Sequence, residues 1–118
     1  DLFFLLENEK QVKELKPNFE VMSQIEYGDG VIVTAKGEKS DFVTRAFFPK
    51  LLTNEDPVCG SAHCNLTPFW SEKLHKSKMI SKQLSPRGAT IYCELNGDRV
   101  KIGGKVTLYS IGEIYIPI

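Results

Sequence analysis

Chemically capable side chains and structural punctuation coincide in one stretch, Glu55-Asp56-Pro57-Val58-Cys59-Gly60-Ser61-Ala62-His63-Cys64-Asn65-Leu66-Thr67-Pro68-Phe69-Trp70. Asp56 precedes a proline, which pushes it out of helical geometry and lets its carboxylate project as a general acid or base. Cys59 stands where a helix would begin, a position that lowers a thiol pKa because the helix dipole stabilises thiolate, so it is a second candidate base. Gly60 allows close backbone approach, and the amides of Gly60, Ser61 and Ala62 would point out of the first helical turn towards an anion such as a substrate carboxylate. Each feature also has a plain structural explanation: Asp56 as a turn former, Cys59 as a small buried residue, Ser61 or Asp56 as an ordinary helix cap. His63, Cys64 and His75 lack a C-x-x-C pair and a second paired ligand set, so no metal is expected. Asn65-Leu66-Thr67 fits a glycosylation pattern but lies in an expected core helix and is set aside.

The elements that must position these residues follow from spacing. Ala62, Leu66, Phe69, Trp70 and Leu74 recur with helical period, predicting a helix from near Gly60 with an apolar stripe. Phe69 and Trp70 are read as core, and His63 as scaffold. Pro68 inside that helix removes a backbone bond at a cost of about 3 kcal/mol, predicting a kink or local break. Upstream, Leu2–Leu6 reads as a buried strand, and Asn8 and Asn18 as caps of short helices over 9–15 and from Phe19 to about Ile25. Val31–Ala35 and Asp41–Phe48 read as strands, the second central because bulky residues lie on both of its faces. Residues 50–54 read as an irregular crossing segment. Downstream, Met79–Ser85, Ala89–Leu95 and Asp98–Ile102 are expected strands, with Asn96-Gly97 the hairpin turn. Further strands over Lys105–Ile111 and Glu113–Ile118 would complete an antiparallel meander. No internal repeat or low-complexity linker divides residues 1–118, which read as a single domain.

Composition limits the possibilities. A chain of 118 residues with 42% hydrophobic and 25% charged side chains can bury a core of its own. Fifteen basic and fifteen acidic residues balance, so no nucleic-acid or anionic-membrane partner is expected. Three cysteines are too few for a secreted disulfide scaffold, and no apolar run approaches a spanning length, so a cytoplasmic location is expected. The start at Asp1, without an initiator methionine and directly in strand-like sequence, predicts a piece of a longer protein.

The run Glu55-Asp56-Pro57-Val58-x-Gly60-Ser61-Ala62-His63-Cys64-x-Leu66-x-Pro68-x-Trp70 resembles the signature of PhzF-like proteins, the phenazine-biosynthesis isomerase family. Val31–Ala35, Asp41–Arg45, Gln83-Leu84-Ser85-x-Arg87-Gly88 and Gly97–Val100 extend the resemblance over nearly the whole chain. It implies an α/β (α+β) chain forming one half, the C-terminal one, of a diaminopimelate-epimerase-like fold: a mixed, mostly antiparallel sheet wrapped around a central helix. By the same resemblance Asp56 matches the active-site aspartate, and Gly60 and Ser61 match the residues that hold the substrate carboxylate. The family's catalytic glutamate belongs to the N-terminal half, so this half alone is expected to be inactive. The implied activity is a cofactor-independent, biosynthetic proton shift on a small carboxylated substrate, with the missing N-terminal half as partner and a homodimer as the assembly.

Cys59 departs from the family, which commonly has threonine or alanine there. Cys59-Gly60-Ser61-Ala62-His63-Cys64 also resembles the Cys-Gly-x-Gly-x-Cys pattern of amino-acid epimerases and racemases on the same fold, which would make Cys59 the base. A non-catalytic small-acid binding or interaction module is the third alternative. Asp56-Pro57 and Pro68-x-Trp70 favour the isomerase.

Overall fold

A computed structural model describes all 118 residues. Its elements in chain order are β1 (Leu2–Leu5), α1 (Glu9–Glu14), α2 (Phe19–Ser23), β2 (Val31–Lys36), β3 (Phe42–Phe48), a 3-10 turn (Pro49–Leu51), β4 (Thr53–Asp56), α3 (Gly60–Leu74), β5 (Lys78–Gln83), β6 (Ala89–Asn96) and β7 (Arg99–Gly103). The strands form one sheet in the order β1-β2-β3-β5-β6-β7, with β4 paired to β3. The β1–β2 and β3–β5 pairs are parallel and the other four antiparallel, the mixed, mostly antiparallel sheet expected.

Alternation along β3 sorts the core. Phe42, Ala46 and Phe48 join Ile32, Met79, Ile91 and Cys93 under the stripe of Ala62, Leu66 and Trp70 from α3. Val43 and Phe47 face the other way and pack with Val12, Val31, Val33 and Ala35, where α1 and α2 cover the sheet. A central strand must be apolar on both faces, and β3 is buried along its whole length. Trp70 stacks on Phe42 at a centroid distance of 5.7 Å and donates its indole N–H to Thr34 Oγ1 at 3.0 Å, which makes it a core residue as expected. Asn8 and Asn18 cap α1 and α2 by accepting from Gln11 and Val21.

Four expectations are corrected. The first strand is not buried: β1 is the edge of the sheet and leaves Phe4 and Leu5 exposed. Residues 50–54 are not irregular: after the 3-10 turn, Thr53–Asp56 pairs with β3, with Ala46 opposite Asp56. The pairing is reinforced from the side by Arg45, which grips Glu55 with two bonds of 2.8 and 2.9 Å and also donates to the Val12 carbonyl of α1 and to the carbonyl of Leu15 just past its end. Of the kink or local break expected at Pro68, the break is absent: α3 runs uninterrupted from Gly60 to Leu74. The proline lies on the exposed side, where water can serve the Cys64 carbonyl that loses its donor. Residues 104–118 form no strand and lie exposed, although β7, which precedes them, is an edge strand with one side unpaired. β5–β7 is therefore the whole of the antiparallel meander. No helix is long and apolar enough to cross a membrane.

Candidate active site

The start of α3 lies beside the end of β4, and the loop Pro57–Cys59 joins them. Asp56 Oδ1 accepts from the Val58 amide at 3.0 Å, an Asx turn that fixes the carboxylate while leaving its second oxygen without a partner in the chain. Asp56, Cys59 and Ser61 line one cavity of about 180 Å³ together with Phe48, Leu51 and Thr53. Larger cavities lie elsewhere; one of about 530 Å³, lined by Asp41, Lys78 and Tyr92 among others, contains none of the expected site residues.

The expected site residues therefore come together, with unequal access. Gly60 and Ser61 are exposed at the helix start, and the residue in the cap position, Cys59, makes no side-chain cap bond, so the first amides are not consumed by a cap. A Cβ built on Gly60 meets nothing within 4 Å, so the missing side chain leaves open space in front of the backbone. Ala62 is fully buried, which narrows the accessible amides to those of Gly60 and Ser61. Cys59 is 3% exposed, and its Sγ lies 3.4 Å from Ser61 Oγ.

The loop is held from behind by β5. Alternation turns Met79, Ser81 and Gln83 inward, and Ser85 continues that register past the strand end. Gln83 bridges both ends of the loop, accepting from the Cys59 amide at 2.8 Å and donating to the Asp56 carbonyl at 2.6 Å. Ser85 donates to the Pro57 carbonyl at 2.9 Å. His63 is fully buried, with Nδ1 2.6 Å from the Cys59 carbonyl oxygen and Nε2 2.9 Å from Ser81 Oγ. Burial pushes the His63 pKa down, and the bond to the Cys59 carbonyl offsets this only in part, so the ring is held neutral. Gln83 and Ser85 were seen in the sequence only as family matches, and Ser81 not at all. Their signal is three polar residues at period two.

A family profile described as phenazine biosynthesis-like protein (PhzC-PhzF) matches residues 1–112. The chain is 43% identical over 113 residues to a protein of Pseudomonas aeruginosa named as an uncharacterized isomerase, covering 96% of this chain and 43% of the relative. A Halalkalibacterium halodurans protein of the same description is 41% identical over 118 residues, covering 98% of this chain and 44% of the relative. Among solved structures, a phenazine biosynthesis protein of the PhzF family from Enterococcus faecalis superimposes with a TM-score of 0.87 at 48% identity, covering 97% of this chain and 44% of that one. The chain thus spans less than half the length of the relatives it matches.

Proposed function

The chain belongs to the PhzC-PhzF family of phenazine biosynthesis-like proteins, and from that premise we propose that it supplies the C-terminal half of a cofactor-independent biosynthetic isomerase that shifts a proton on a small carboxylate-bearing substrate. The observation that carries this reading is the shared cavity: Asp56 and Ser61 line it beside the uncapped, open start of α3. The Gly60 and Ser61 amides and the Ser61 hydroxyl hold the substrate carboxylate, and Asp56 moves the proton through its unpartnered oxygen. The opposing acid or base comes from the rest of the protein. Residues beyond β7 support that division, because Val106, Leu108, Tyr109, Ile111 and Ile114 present apolar side chains with no partner in this chain.

A second reading, epimerisation with Cys59 as base, is favoured by one observation, that Cys59 lines the same cavity. Its 3% exposure weighs against it.

The test is deuterium incorporation from heavy water into a panel of small carboxylic acids with activated C–H bonds, followed by proton NMR with the full-length protein. Asp56→Asn should lower exchange by roughly 10²–10⁴-fold, the usual range for a lost general acid or base, and Cys59→Ser should leave it within a fewfold. The reverse pattern transfers the reaction to Cys59 and the epimerase reading; no exchange in the wild type with any acid leaves the binding module.

A further inference from the structure

The buried polar groups behind the loop act on successive peptide units of the site. A trans peptide directs its carbonyl and its N–H to opposite sides, so a group that fixes the carbonyl fixes the N–H as well. Ser85 draws the Pro57 carbonyl inward, and the Val58 N–H of the same peptide points outward to Asp56 Oδ1. Gln83 draws the Cys59 N–H inward. His63 draws the Cys59 carbonyl inward, which leaves the Gly60 N–H of that peptide facing the open side.

The direction of the His63 bonds follows from the partners. A carbonyl oxygen only accepts, so Nδ1 carries the proton; Nε2 then accepts from the Ser81 hydroxyl. Ser81 is itself fully buried, so this orientation has no competition from water. Since the Cys59 side chain caps no amide of the first turn, His63 is the side chain that bonds the peptide entering the helix.

We propose that His63 is a positioning residue: held by Ser81 and donating Nδ1–H to the Cys59 carbonyl, it turns the Cys59–Gly60 peptide so that the Gly60 N–H faces the substrate carboxylate. The proposal rests on the reading of Gly60 and Ser61 as the carboxylate site. Phe42, Leu66 and Met79 enclose the same core and supply no polar substitute.

The test uses the full-length protein labelled with nitrogen-15. The wild-type His63 ring should show the neutral Nδ1–H tautomer. His63→Leu should change the residual dipolar coupling of the Gly60 N–H. Acetate binding, followed by the Gly60 and Ser61 amides, should weaken by about tenfold, as the loss of one well-aimed charge-assisted bond predicts. His63→Asn, whose amide nitrogen takes the place of Nδ1, should restore both to near the wild-type values, a rescue that simple loosening of the core would not give. Should His63→Leu fail to fold, His63→Gln substitutes for it, because its donor reaches the Ser81 end and not Cys59. An Nε2–H tautomer in the wild type, or wild-type coupling and acetate affinity in the folded variant, overturns the proposal. Wild-type protein that binds no acetate sinks the carboxylate reading instead, while the tautomer and the Gly60 coupling still decide whether His63 orients the peptide.

Discussion

At its first residue α3 is held by buried side chains, three of them from β5 and the residues just past it: Gln83 on the Cys59 amide and the Asp56 carbonyl, Ser85 on the Pro57 carbonyl, and Ser81 on His63, which bonds the Cys59 carbonyl from the helix's own first turn. At its last residue the helix closes with its own backbone. His75 takes a left-handed conformation, and its N–H and that of Lys76 both return to the Ser71 carbonyl. The nearby ion pair of Lys76 with Asp41 sits at the surface, where the lysine side chain is half exposed. An end that only needs to stop is closed locally and cheaply. Burying four polar side chains to shape a loop while leaving the first amides open makes sense where the loop must present groups to something else.

The contrast is tested most severely at Gln83. Gln83→Leu keeps the volume and strands the buried Cys59 amide and the Asp56 carbonyl; at about 1–3 kcal/mol for each unsatisfied group, the loss should total roughly 2–6 kcal/mol. For a chain of this size that lowers Tm by roughly 10 °C or more, read by calorimetry. A loss well under 1 kcal/mol would mean that water reaches the loop from behind and that its shape is not built by β5.

Much of this frame was legible in the sequence and the key part was not. Asn8 and Asn18 were recognisable as caps because their side chains act on amides three residues on. Asp41–Phe48 was recognisable as central because it has bulk on both faces. The start of α3 and the gathering of Asp56, Cys59 and Ser61 followed from Pro57, Gly60 and the apolar stripe. In Lys78–Gln83, however, the inward positions Ser81 and Gln83 are polar, so a search for apolar alternation finds no face to assign. Their partners, the His63 ring for Ser81 and the Cys59 amide and Asp56 carbonyl for Gln83, are brought near only by the tertiary structure. Strand-like composition misled at 105–118 for the opposite reason, since local propensity makes a strand only where the segment also pairs and packs, and these residues lie exposed. At Pro68 the helix survives because packing of Leu66 and Trp70 outweighs one lost backbone bond.

The surface end should be far less sensitive. Burial opposes the charge of Asp41, but the Lys76 ammonium and the Ile80 amide together hold its pKa below the ordinary 3.8. A carboxyl with a depressed folded-state value stabilises the fold above its unfolded value and loses that contribution as the pH falls through the folded one. Asp41→Asn should therefore lower stability by about 1 kcal/mol or less at neutral pH, as expected for an exposed pair, and the gap to wild type should close below pH 3.8. Equal gaps at neutral and acid pH would show that Asp41 acts through the Ile80 hydrogen bond and not through its charge. A loss as large as that of Gln83→Leu would erase the difference between the two ends.

His75 offers the smallest effect and the opposite sign. Its φ of 53° places a residue with a Cβ in left-handed geometry, at a cost of about 1–2 kcal/mol that glycine avoids. Glycine gives back about 0.5–1 kcal/mol because its unfolded chain is more flexible. His75→Gly should thus raise stability by roughly 0.5 kcal/mol, seen as a small upward shift of the denaturation midpoint with an unchanged slope. The same variant should leave Gly60 and Ser61 amide shifts and their response to acetate as in the wild type. A stability gain without any change at the opposite end would show that the C-terminal end of α3 serves stability alone. A displaced Gly60 resonance would couple the two ends and require the loop geometry to be set along the helix as well as by β5.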